Sequence, residues 1–164
     1  MKRSKIAVLG GGSWGTTTAS VISRQCDAVL WARDAQIVDE INQDQTNMRY
    51  LADATLHPKL TATTALNVAV EHADAVLIAV PSSHFREVLM NALPDMPRDI
   101  PVISLSKGLE KGSRMRMTEI IREEVIGGRL YTGPMYEKYN LALRSKSGVP
   151  FMITRFGQLC GSNY

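Results

Sequence analysis

A short apolar run that ends directly in a glycine-rich turn is the feature that most constrains the fold of this chain. Residues 6–9 are all apolar, and the pattern Gly-x-Gly-x-x-Gly follows at Gly10, Gly12 and Gly15. Residues 16–24 then suit a helix, so the order is strand, glycine turn, helix. In dinucleotide-binding folds the first glycine allows the sharp turn, the second lets a pyrophosphate approach, and the third lets the helix pack on its strand.

The helix that begins near Ser13 would direct unpaired backbone N–H groups and the positive end of its dipole at the phosphates. A glycine-rich turn that merely joins a strand to a helix is the alternative interpretation. The apolar strand before the motif and the helical run after it favour dinucleotide binding.

Apolar runs and helical patterns continue to alternate along the chain. Pro81 ends the strand at residues 75–80, and Ser82 or Ser83 is placed to cap the helix that follows. This rhythm predicts an α/β fold with a doubly wound, mainly parallel sheet. After the first strand at residues 6–9, the predicted strands are residues 28–32, 60–63, 75–80, 101–106 and 129–132, and the predicted helices are residues 16–24, 35–43, 65–72, 85–93 and 113–125.

The end of the second predicted strand carries the residues expected to read the adenosine ribose. An acid there suits the 2'-hydroxyl of NAD, whereas an arginine suits the 2'-phosphate of NADP. The chain offers Arg33 and then Asp34, and Asp34 is equally suited to cap the next helix. The sequence favours NADP without deciding against NAD.

Two further residues are candidates at the same edge of the sheet. Tyr50 lies in a loop expected to return toward the nucleotide, where its ring would flank the adenine, although simple packing also explains it. Lys107 follows the strand at residues 101–106 and precedes Gly108, which places a cation where an anionic ligand would bind. A lysine that only extends from a strand end into water is the alternative.

Composition argues against several other classes of function. The net charge is +3, but basic residues are interspersed with acids, so we expect no nucleic-acid binding. The longest apolar run, residues 75–80, is too short to span a bilayer, and no secretory segment precedes the first strand. No histidine or cysteine spacing suggests a metal site. We therefore expect a cytoplasmic protein, and the pattern defines no oligomeric state.

Several segments together resemble the amino-terminal half of bacterial NAD(P)-dependent glycerol-3-phosphate dehydrogenase. The resemblance runs from about Lys5 to Pro134. It rests on residues 10–16, 29–33, 47–51, 80–82 with 85–86, and 107–110.

That resemblance implies reduction of dihydroxyacetone phosphate to sn-glycerol 3-phosphate, which feeds phospholipid synthesis. It implies that Ser13 and Trp14 line the pyrophosphate loop and that Arg33 reaches the adenosine phosphate. It further implies that Lys107 contacts both the cofactor and the substrate phosphate, and that Gly133 contacts the substrate.

The chain departs from the family pattern after Pro134. We expect residues 1–134 to form the dinucleotide-binding domain and residues 135–164 to be an atypical tail, which resembles replaced or out-of-frame sequence. The family carries its catalytic lysine on a helical second domain, which we expect this chain to lack, so no catalytic residue is assigned. Two hypotheses follow: a truncated dehydrogenase, or a remnant that binds NAD(P)(H) without turnover.

Overall fold

Strands and helices alternate along the chain in the order that the apolar pattern predicts. The computed structural model describes residues 3–126. The strands are β1 (Lys5–Leu9), β2 (Asp27–Trp31), β3 (Thr61–Thr63), β4 (Ala75–Ile78) and β5 (Val102–Ser104). The helices are α1 (Ser13–Ile22), α2 (Ala35–Asp44), α3 (Leu66–Val70), α4 (Phe85–Ala92) and α5 (Met117–Ile121); a 3-10 turn (Ser82–His84) precedes α4 and a π-helical turn (Arg122–Ile126) follows α5.

All five strands are parallel and form one sheet in the order β3-β2-β1-β4-β5. Leu9, at the end of β1, lies between Trp31 of β2 and Ile78 of β4. The chain therefore places β2 and β3 on one side of β1 and then returns to place β4 and β5 on the other side. This reversal creates a crevice between β1 and β4 at the carboxyl ends of the strands, where open α/β sheets bind their ligands.

Both faces of the sheet are covered by helices, which accounts for the nearly continuous apolar strands. In β1, Ile6 and Val8 pack on one face with residues of α1 and α2. Ala7 and Leu9 pack on the other face with residues of α3, α4 and α5. The doubly wound parallel sheet expected from the sequence is confirmed.

Two local expectations were wrong. Neither Ser82 nor Ser83 caps α4, because these residues themselves form the 3-10 turn, in which the N–H of His84 donates to the carbonyl of Pro81. The last predicted helix begins at Met117 rather than at residue 113. Residues 110–116 form a loop instead, with Arg114 in the left-handed region at φ 59°. The predicted strand at residues 129–132 lies outside the described residues.

None of the helices within residues 3–126 is long and apolar enough to cross a bilayer.

Gly15 is the residue at which α1 passes closest to the end of β1. A Cβ atom built on Gly15 would lie 1.9 Å from the carbonyl oxygen of Gly10, far inside van der Waals contact. The third glycine of the motif therefore has the packing role that the sequence predicts.

We predict that Gly15→Ala lowers the free energy of unfolding by about 2 kcal/mol or more, because backbone must move to admit the methyl group. Alanine ordinarily stabilises a helix relative to glycine by up to about 1 kcal/mol, so the sign of the change is diagnostic. Urea unfolding measures it, with Val21→Ala on the exposed side of the same helix as the control. Equal stability of the Gly15→Ala variant and the wild type would contradict this packing.

Candidate functional site

The glycine turn after β1 holds its shape through contacts with both neighbouring strands. The N–H of Gly10 donates to the carbonyl of Trp31 at 2.9 Å, and the N–H of Ala79 donates to the carbonyl of Leu9 at 2.7 Å. Gly10 has φ 128°, and a Cβ there would lie 2.6 Å from the carbonyl oxygen of Ala79. Only glycine satisfies both conditions, so the turn is fixed at the floor of the crevice between β1 and β4.

Gly12 differs from its neighbours because its open side faces no protein atom. A Cβ built on it would meet nothing within 4 Å, and its φ of −75° suits any residue. It precedes α1, which has no side-chain cap and no acidic residue in its first turn. The open space beside Gly12 thus adjoins the start of a ten-residue helix whose first N–H groups have no side-chain cap, a combination that favours a phosphate group. The loop fits the diphosphate of a dinucleotide.

Asn47 fastens the loop at residues 47–51 to the glycine turn. Its side chain is fully buried, and its amide donates to the carbonyl of Gly11 at 3.1 Å and to the hydroxyl of Thr16 at 2.9 Å. The carbonyl of Asn47 accepts the N–H groups of Tyr50 and Leu51, which closes the loop as a tight turn. The loop at residues 47–51 is therefore held against the start of α1.

Tyr50 lies beside the start of α1. The hydroxyl of Ser13 donates to the carbonyl of Tyr50 at 3.2 Å. Tyr50 is 42% exposed and Trp14 is 62% exposed. The structure thus brings Ser13, Trp14 and Tyr50 together around the glycine turn, with two aromatic rings available to a ligand.

The end of β2 carries Arg33 and Asp34, and Arg49 reaches the Asp34 carboxylate from the loop at residues 47–51. One oxygen of Asp34 accepts the N–H of Gln36 at 3.0 Å and caps α2, and the other accepts from the guanidinium of Arg49 at 3.0 Å. The same guanidinium lies 5.4 Å from the centroid of the Tyr50 ring. Arg33 is exposed, and its side chain has no hydrogen bond or ion pair within residues 3–126. Asp34 is confirmed as a helix cap.

The ends of β4 and β5 complete the edge. The hydroxyl of Ser106 donates to the carbonyl of Val80 at 2.5 Å, which ties the segment after β5 to the segment after β4. Lys107 follows and is exposed, and a Cβ on Gly108 would lie 3.6 Å from the hydroxyl oxygen of Ser82. Since parallel strands end at one edge, Lys107 is on the same edge as the glycine turn. Gly133 lies outside the described residues.

Arg86, in the first turn of α4, joins this edge to the π-helical turn at Arg122–Ile126. Its guanidinium donates to both oxygens of Glu110, at 2.8 and 2.9 Å, and to Glu123 at 2.9 Å, and it also contacts Glu124. The hydrogen bond from Arg86 lowers the pKa of Glu110 from its ordinary 4.5 to about 2, and the hydroxyl of Ser113 adds to the effect. In turn, the hydrogen bond to Glu110 raises the pKa of Arg86.

Sequence reasoning missed four residues of this arrangement. They are Asn47, Arg49, Arg86 and Glu110, which hold loops in place through contacts between distant parts of the chain. All four fall in segments that carry the family resemblance, and this was the only signal that could have found them. Within residues 3–126 no group of three or more histidine, cysteine or acidic side chains could hold a metal ion.

Comparison with known proteins gives a consistent result. The sequence model for the amino-terminus of NAD-dependent glycerol-3-phosphate dehydrogenase matches residues 5–134. Glycerol-3-phosphate dehydrogenase (NAD(P)+) 2 of Sphingopyxis alaskensis is 46% identical over 150 residues, covering 90% of this chain and 45% of that protein. The corresponding protein of Mycobacterium avium is 45% identical over 129 residues, covering 78% and 38%.

A solved structure supports the same relationship. The crystal structure of glycerol-3-phosphate dehydrogenase from Coxiella burnetii superposes with a TM-score of 0.68 at 35% identity, covering 76% of this chain and 38% of that one. The chain thus spans less than half the length of the curated relatives it matches. The Sphingopyxis alignment covers nine tenths of the chain and so extends past residue 134, while the domain boundary at that residue stays a prediction.

We predict that Asn47→Ala lowers the free energy of unfolding by about 1–3 kcal/mol, since it removes two hydrogen bonds from a fully buried amide. Urea unfolding measures the loss. The control is Asn91→Ala, at an exposed position of α4. If both variants lost the same small amount, Asn47 would not fasten the two loops.

A second prediction concerns pH. Because the folded pKa of Glu110 lies below its ordinary value, its contribution to stability is fully present above about pH 4.5 and is lost as the pH falls toward about 2. The stability difference between wild type and Glu110→Gln should therefore shrink across that window. Urea unfolding at several pH values tests this, with the exposed Glu71→Gln as control. A difference that stayed constant with pH would contradict the pairing with Arg86.

Proposed function

The chain belongs to the NAD-dependent glycerol-3-phosphate dehydrogenase family, whose amino-terminal part it matches, and we propose that it binds NADP or NAD at the crevice between β1 and β4. We further propose that it serves the reduction of dihydroxyacetone phosphate to sn-glycerol 3-phosphate. One observation carries the proposal: the open side of Gly12 lies directly before the uncapped start of α1.

The individual roles follow from position. The backbone of residues 10–15 would hold the diphosphate, with Ser13 and Trp14 at its rim. The exposed ring of Tyr50 would contact the adenine. Lys107 would contact the cofactor and the substrate phosphate by charge, and the substrate role of Gly133 remains a prediction from sequence.

The end of β2 supports NADP as the preferred cofactor. Asp34 already caps α2 and pairs with Arg49, so part of its capacity to accept a hydrogen bond from a ribose hydroxyl is taken. The guanidinium of Arg49 donates to this carboxylate, and Arg33, the residue before Asp34, is exposed. Guanidinium groups bind phosphate through paired hydrogen bonds, so a 2'-phosphate would be favoured there.

The nicotinamide, when bound, supplies the hydride for reduction. This chain's described residues would bind and orient the cofactor and attract the anionic substrate. The resemblance places the lysine that protonates the carbonyl oxygen in a second domain, outside the part matched by the family model. A second candidate function is therefore nucleotide binding without turnover, in which residues 10–15 would still hold the diphosphate but no proton donor would complete the reaction. Cytoplasmic localisation is part of the proposal.

A single mixing experiment distinguishes the two functions. The full chain is mixed with NADPH, and nicotinamide fluorescence is followed before and after dihydroxyacetone phosphate is added. A fluorescence change followed by substrate-dependent loss of nicotinamide absorbance supports the dehydrogenase. A fluorescence change without that loss supports the binding function. No saturable change with NADPH or NADH would contradict both.

Gly12→Val tests the site itself. Its side chain would occupy the space proposed for the diphosphate, so we expect NADPH affinity to fall by more than about a hundredfold. The unfolding midpoint should fall only slightly: a Cβ at Gly12 meets no protein atom, and the remaining cost is that valine is a poorer helix N-cap than glycine. Gln25→Val, at an exposed position beyond the other end of α1, is the control for valine at a surface site. Wild-type affinity in Gly12→Val would refute the assignment.

A further inference from the structure

We propose that Arg86 and Glu110 are positioning residues that hold the loop bearing Lys107 at the cofactor site. The inference rests on the proposed function, because that proposal is what assigns Lys107 to the ligand. It goes further by giving a role to an ion-pair cluster that neither the glycine motif nor the end of β2 uses.

The loop is anchored on both sides of Lys107. On the strand side, the N–H of Leu105 donates to the carbonyl of Ile78 at 2.8 Å, and Ser106 bonds to the carbonyl of Val80. On the other side, the carboxylate of Glu110 accepts hydrogen bonds from Nε and Nη2 of Arg86, the two nitrogens of its guanidinium fork. Lys107, Gly108 and Leu109 between these anchors are exposed.

The fork provides a geometric constraint as well as charge. A planar guanidinium that donates to both oxygens of one carboxylate fixes its distance and its orientation. Arg86 sits in the first turn of α4, directly after the segment that follows β4. The pair therefore sets the position of the loop after β5 relative to the segment after β4, and Gly108 lies against Ser82 of that segment.

The rest of the loop folds on Glu110 itself. The backbone N–H of Glu110 donates to the carbonyl of Met115 at 2.9 Å, and its own carbonyl accepts the N–H of Arg114 at 3.0 Å. Its side chain accepts the hydroxyl of Ser113. Since Glu110 joins this turn to α4, the pair controls the far anchor of the exposed segment that carries Lys107.

The remaining partners of Arg86 make a clean test variant available. Glu110→Gln removes one charge of the pair but leaves Arg86 bonded to Glu123 and in contact with Glu124. Arg86→Met would instead leave three carboxylates together without a cation, which risks unfolding. Glu110→Gln is therefore the variant to combine with Lys107→Ala.

The experiment is a double-mutant cycle on NADPH binding by the full chain, followed by nicotinamide fluorescence. We expect Lys107→Ala and Glu110→Gln each to lower NADPH affinity by about threefold to tenfold, the effect of one charge-assisted contact. The double variant should bind no more weakly than Lys107→Ala alone, because Glu110 acts through Lys107. If Glu110 had a purely structural role, independent of Lys107, the fold-losses in NADPH affinity of the two single variants would multiply in the double variant.

Two comparison variants sharpen the result. Glu123→Gln removes a partner of Arg86 without touching the loop, and we expect its NADPH affinity to match the wild type within about twofold. Arg86→Lys keeps the charge but loses the fork, so it should weaken binding as Glu110→Gln does and its effect should vanish in the Lys107→Ala background.

The outcomes separate this inference from the proposed function. Wild type that fails to bind NADPH overturns the proposed site and the inference together. Lys107→Ala that binds NADPH as the wild type does overturns the role of Lys107 and with it the inference, but leaves the diphosphate site at Gly12 standing. Two outcomes overturn the inference alone and leave the proposed site standing. In both, Lys107→Ala lowers NADPH affinity; in the first, the losses of the two single variants multiply in the double variant, and in the second, Glu110→Gln causes no loss.

Discussion

The contact between the backbone of Gly15 and the carbonyl of Gly10 is the constraint on which the rest of the site depends. It brings the first turn of α1 onto the end of β1, closer than any side chain at residue 15 would allow. With the helix held there, its uncapped N-terminus points to the crevice where the strand order reverses. Backbone N–H groups then become the candidate binding groups, because this arrangement needs no cation at the centre of the site.

Polar contacts over long sequence distances hold the surrounding loops in place. Asn47 reaches Gly11 across 36 residues, and Arg86 reaches Glu110 across 24. Asp34 accepts hydrogen bonds both from the start of its own helix and from Arg49, 15 residues away. Each contact fixes one loop relative to the glycine turn or to a neighbouring strand end. The candidate site thus consists of the first turn of α1 and the loops around it, and each loop is held in position by its own polar pair.

Local sequence predicted the parts of this structure that depend on local physics. Apolar runs gave the five described strands within a few residues, and the glycine spacing gave the turn, including the packing role of Gly15. The start of α5 was misplaced because Arg114 takes a left-handed conformation inside an otherwise helical pattern. Asn47, Arg86 and Glu110 could not be recognised, since an amide or an ion pair that closes between distant segments leaves no periodicity along the chain. Only the family resemblance pointed to their segments.

The most direct test of the central claim is to observe the backbone N–H groups at the start of α1 while the cofactor is added. Isotope-labelled full-length chain is titrated with NADPH, and the amide resonances are followed by NMR. We predict saturable shifts at Gly12, Ser13, Trp14 and Gly15, with none at Val68 of α3 or Met90 of α4. Saturable NADPH binding that left the resonances of residues 12–15 unmoved would contradict the claim.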